Sequence, residues 1–242
     1  MSINRKTTSK ESRKRLTAVN LIRWSGLAAM IGGSIFVVIQ PIHPADVLAS
    51  VTTNAWTIIM PLKTVMSLLF MVGITGLYAR QAEASGWLGL AGYLMFSLSW
   101  ALQTAFIFIE TFILPPLATA APEFVDSFLG IVNGSPGQMN LGALTAVYNV
   151  VGVLYILGGL LLGIATLRAR ILPRWPAALL TLAAALTPAA ALLSHPLNRS
   201  LAVPMGLAMV WLGYSLWSER QEKASEALSA QETAVIETSQ AA

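Results

Sequence analysis

The sequence predicts an all-α fold, a polytopic membrane bundle of six transmembrane helices. Three observations predict it. Hydrophobic residues fill 55% of the 242 positions and charged residues only 11%, against about 25% charged in an ordinary soluble domain. Six apolar stretches come close to the roughly 20 helical residues needed to cross a hydrocarbon core of about 30 Å. The charges also lie mostly outside those stretches: seven of 15 basic residues precede position 24 and five of 11 acidic residues follow position 218. The apolar runs show no period-two alternation, so they read as helices that satisfy their own backbone in lipid.

Residues 1–20 form a basic, Ser/Thr-rich arm, expected to be disordered and to touch anionic lipid on the cytoplasmic side. Helix one is expected from Trp24 to Ile39, ahead of Pro41 and Pro44. Its basic leader is about 20 residues long and His43-Pro44 closes the apolar run, so it reads as a retained anchor and not a cleaved signal peptide. Trp56 to Met60 reads as a short interfacial helix broken at Pro61, and helix two follows from Leu62 to Ala79. Helix three runs from Trp87 to Leu114 and stops at Pro115 and Pro116. The segment to Asn140 is the longest loop, and its Phe124–Val132 portion is expected to form a short helix lying over the bundle mouth as a lid.

Helix four is expected from Leu141 to Leu167, helix five from Trp175 to Leu193 between Pro173 and Pro196, and helix six from Leu201 to Trp217. The transmembrane domain thus covers 21–217. The polar tail, 218–242, is expected to continue helix six to about Leu228 and to be disordered beyond.

Orientation follows from the basic residues beside the spans. Thirteen of 15 fall on the side that carries both termini, leaving Arg199 and Lys63 on the other. By the positive-inside rule both ends face the cytoplasm of a cell-membrane protein. Trp24, Trp87, Trp175 and Trp217 then mark the cytoplasmic interface, and Trp56 the outer one.

Helices one and five both open with Arg-Trp (Arg23-Trp24, Arg174-Trp175) and both end in His-Pro (His43-Pro44, His195-Pro196), 20 and 21 residues on. Helices two and four share Gly-Ile-x-x-Leu-x-Ala-Arg, at 73–80 and 163–170, and helix six carries a weaker form from Gly213. Three hairpins related by duplication account for this pattern. Gly86, Gly89, Gly92 and the Gly159-x-x-x-Gly163 motif mark close helix contacts, inside the bundle or across a homo-oligomer face.

The absence of cysteine excludes disulfides and thiolate chemistry. A pI near 9.6 does not indicate nucleic-acid binding, because the basic residues are distributed as orientation signals beside apolar spans. No phosphate-binding loop, Rossmann fingerprint or nucleophile elbow is present, no catalytic residue stands out, and no cofactor is required.

Counting along the helices places His43, Lys63, Glu110 and His195 at one level near the outer boundary, with Gln103, Tyr148 and Asn149 a little deeper. These seven are the candidates for a polar ligand pocket at the extracytoplasmic mouth. His43, Glu110 and His195 also form a donor set for zinc or another divalent ion with open positions. The alternative is structural: the histidines satisfy helix-end carbonyls before a proline, and Lys63 and Glu110 snorkel or pair. Three functional classes follow: binding or transport of a small molecule through the pocket, a metal-dependent membrane enzyme acting on a lipid or amphiphile, or a structural, partner-binding subunit.

Overall fold

A computed structural model describes residues 18–135, 137–194 and 197–218. The basic arm before Ala18, the tail beyond Ser218 and His195 lie outside the described residues. Everything regular among the described residues is helical, with no strand.

Five helices are long and apolar enough to cross a membrane: Asn20–Ile42, Asn54–Ala120, Leu144–Ala169, Arg174–Leu192 and Leu197–Ser218. The second has 67 residues, roughly 100 Å at 1.5 Å per residue and three times a hydrocarbon core. It folds back on itself at Gly86, whose φ of 56° and ψ of −154° are open only to glycine. Partners across the fold-back converge on that residue. Lys63 meets Glu110, Thr64 meets Thr111 at 3.0 Å, Thr104 donates to Ser67 at 3.0 Å, and Tyr78 stacks on Tyr93. The long helix is therefore two antiparallel arms, and the bundle has six rods.

We number the rods and the short α-helix between the third and fourth of them as α1 (Ala18–Ile42), α2 (54–85), α3 (87–120), α4 (Pro122–Asn133), α5 (Leu144–Ala169), α6 (Arg174–Leu192) and α7 (Leu197–Ser218). Small residues set the order around the bundle. A Cβ on Gly73 would strike Ala29, joining α2 to α1, and one on Gly92 or Gly158 would strike the facing backbone, joining α3 to α5. Gly159 and Gly163 meet Ala184 and Thr181 of α6, and Gly213 meets Gly26 and Ala29 of α1. Gly92, Gly159 and Gly163, expected from sequence to mark close contacts, are thus used between helices of one chain, where close backbone approach replaces the hydrophobic drive absent in lipid. Gly86, expected with them, has nothing within 4 Å of a Cβ and makes the fold-back instead. The three glycines at matched motif positions, Gly73, Gly163 and Gly213, each contact α1 or α6, the two helices that carry Arg-Trp.

The outward surface is apolar on every rod: Val38, Val65, Leu94, Val153, Leu182 and Leu207 are all about half exposed. Water tolerates no such belt, whereas lipid requires it. One end carries Trp24, Trp87 and Trp175, all strongly exposed, with Arg23 over the Trp217 ring and Arg174 near that of Trp175.

Three expectations about the opposite end need correction. Pro61 breaks nothing: α2 starts at Asn54, capped by Thr53 Oγ1 accepting from Trp56 N, and runs through the proline. Pro115 and Pro116 do not stop α3, which widens to a π-helix over Ile109–Ile113 and continues to Ala120. Trp56 is no interfacial anchor but is 1% exposed, within the core.

One cause links these corrections. In the π register Leu114 N–H bonds Ile109 O, so the Glu110 carbonyl would need the N–H of Pro115, which proline lacks. The Trp56 indole supplies that missing donor, with Nε1 3.0 Å from Glu110 O. The expected helix over Phe124–Val132 exists as α4, held by buried Val125, Phe128 and Leu129.

A polar cavity at the end opposite the tryptophans

His43 lies just past the end of α1, where the chain turns into the connection to α2. Its Nδ1 is 2.7 Å from Pro44 O, an atom that only accepts, so Nδ1 carries the proton. Nε2 is then the lone-pair nitrogen, and it accepts from Lys63 Nζ at 3.2 Å. Lys63 also donates to Glu110 Oε2 at 2.6 Å. Both members of this ion pair are buried, Lys63 at 7% and Glu110 at 0% exposure. Of the two sequence expectations for them, pairing is observed and snorkelling is not. Glu110 Oε1 has no hydrogen-bond partner among the described residues.

A cavity of about 880 Å³ opens beside this group, in the upper part of the range for small-molecule sites. His43, Lys63, Gln103, Tyr148 and Asn149 all line it. Glu110 does not, and stands behind Lys63. His195 lies outside the described residues. No group of three or more His, Asp or Glu suited to a metal occurs among the described residues. Between His43 and Glu110, the two described members of the expected donor set, stands the Lys63 ammonium.

A second ion pair closes the rim. Arg199 at the start of α7 bonds Asp46 in the connection after α1. Asn133, the last residue of α4, donates to the Asp46 carbonyl at 2.8 Å. Lys63, Asp46 and Arg199 are the only Lys, Arg, Asp or Glu on the cavity wall among the described residues, and each has its counter-charge. Among the described residues the cavity therefore offers no uncompensated charge. It does offer hydrogen bonds: the side-chain amides of Gln40, Gln103 and Asn149 line it and make none to described residues.

Below the rim the lining turns aromatic. Phe36 lies seven residues down α1 from His43, about 10 Å deeper. It packs edge-on to Trp100, which meets Tyr155 edge-on at 5.9 Å. Phe36, Trp100 and Tyr155 all line the cavity, and Phe70 and Phe96 pack behind them. Trp100 is 4% exposed and its Nε1–H has no partner among the described residues.

Comparison with known proteins gives no relative. The chain matches no family model, and no curated protein or solved structure is significantly similar to it. The chemistry of the cavity has to be read from its own residues.

Sequence reasoning missed Asp46, Gln40 and Arg199 as lining groups. The Asp46–Arg199 pair joins positions 153 apart, and no local pattern signals that contact. Trp100 shares a helix face with Gln103, and Tyr155 repeats Tyr148 two turns on, so the aromatic floor had a periodic signal.

Proposed function

We propose that the protein is a multi-pass cell-membrane protein with both termini cytoplasmic, and that it binds or transports a small molecule through this cavity at its extracytoplasmic end. The observation that carries the reading is the set of amides, Gln40, Gln103 and Asn149, that bond none of the described residues, in a cavity of about 880 Å³ whose described charges are paired. Gln40 is buried, Gln103 half-buried and Asn149 exposed, and amides that face a cavity in this way are placed to bond a molecule bound there. The basic residues beside the spans support the orientation.

The absence of native cysteine makes the test direct. A Gln103→Cys variant, treated in intact cells with a membrane-impermeant methanethiosulfonate reagent, is expected to label from outside. A lipid-facing Leu94→Cys variant is expected not to. Absence of labelling at position 103, or labelling only after the cytoplasmic face is opened, would overturn the reading.

A further inference from the structure

We propose that the ligand is an uncharged amphiphile, a hydroxyl- or carbonyl-bearing head on a hydrocarbon tail, which reaches the cavity sideways from the bilayer between α5 and the end of α6. This rests on the binding reading above and adds the chemical class and the route.

The route is set by how α6 ends. Its α-helix stops at Leu186 and a tighter 3-10 turn follows over Thr187–Leu192. That turn packs against Leu197–Ser200 at the start of α7. Lower down, α6 is held to α5 by the close approaches at Gly159 and Gly163. The 3-10 turn has no comparable contact with α5, so the two helices are clamped at one end and parted at the other. On the α5 side of the gap, Asn149 and Gly152 line the cavity and are exposed. A Cβ added at Gly152 would meet nothing within 4 Å. On the α6 side, Ala191 also lines the cavity and is exposed. Neighbouring Val150, Val153 and Leu192 face outward at 51%, 54% and 85% exposure. An opening flanked by such residues meets acyl chains and not water.

The class follows from the lining. With Lys63 and Arg199 each paired to a carboxylate, a phosphate or carboxylate ligand would gain no free counter-charge and would lose its hydration. Among the described residues the available groups are neutral: amides that donate and accept, and the indole N–H of Trp100, which has no partner there. They suit hydroxyls and carbonyls. The floor of Phe36, Trp100 and Tyr155, with Met66 and Val151 also on the wall, suits hydrocarbon.

The test uses Gln103→Cys protein in phosphatidylcholine nanodiscs, with the rate of thiol labelling as readout. 1-Oleoylglycerol is expected to slow labelling about tenfold when it occupies about nine-tenths of the sites. Glycerol, the head alone, and oleyl phosphate, the same tail with a charge, are expected to leave the rate unchanged. Gly152→Trp, or Ala191→Trp from the opposite rim, is expected to abolish protection, and an unfolding midpoint close to that of the Gln103→Cys parent shows that the bundle is intact. Val150→Trp, facing away, should keep protection. Equal protection by oleyl phosphate or by glycerol, no protection by 1-oleoylglycerol, or protection that survives both rim variants would overturn the inference. Labelling without protection defeats this inference alone, whereas no labelling at all defeats the binding reading beneath it.

Discussion

Lys63 and Glu110 face each other across the two arms of one hairpin, Nζ 2.6 Å from Oε2, with 47 residues of chain between them. The pair is stabilising only as a pair. Two charges buried among helices repay their lost hydration through each other, and removing one strands the other. Lys63→Met and Glu110→Leu are each expected to cost about 3–5 kcal/mol, and the double variant to recover most of that loss. Denaturation in detergent measures all three. Simple additivity would show that the two residues do not act together.

The bond from Trp56 to the Glu110 carbonyl gives a second test. Trp56→Phe keeps the ring but leaves that carbonyl without its donor, at a cost of about 1–3 kcal/mol. Pro115→Ala returns a backbone N–H at the position the π register requires. In the Trp56→Phe background it is expected to restore part of the stability, read from the midpoint of thermal unfolding. If the two substitutions add independently, the proline is not the reason that α3 needs the indole.

Glycines of the same helix are expected to respond with opposite sign. Gly163 faces Thr181 closely, so Gly163→Val overpacks the α5–α6 contact and costs about 1–3 kcal/mol. Gly152 has open space beside it, so Gly152→Ala is tolerated and gains up to about 1 kcal/mol of helix propensity. Equal effects from the two would contradict the parting of α5 and α6 at the cavity end.

Most of the fold was legible because lipid imposes a simple rule: long apolar runs, charges at their ends, glycine where helices touch. The rods, the tryptophan end and α4 all follow from it. Proline was misjudged. Pro61, Pro115 and Pro116 would end helices in water, but in this bundle a π turn and a tryptophan from another arm take up the hydrogen bonding that Pro115 forgoes.

At the site, counting residues along each helix places His43 and Lys63 at one level with Gln103, Tyr148 and Asn149 a little deeper, and the cavity gathers all five. The count gave height but not azimuth. It therefore could not show that Glu110 turns behind Lys63, or that Asp46 reaches Arg199.

The single-residue joint at Gly86 constrains motion. With no loop between them, the arms on either side cannot slide past one another, so the hairpin behaves as one rigid strut. Any rocking that exposes the cavity first to one side of the membrane and then to the other must divide the molecule along a different seam, where α1 or α5 leans on that strut.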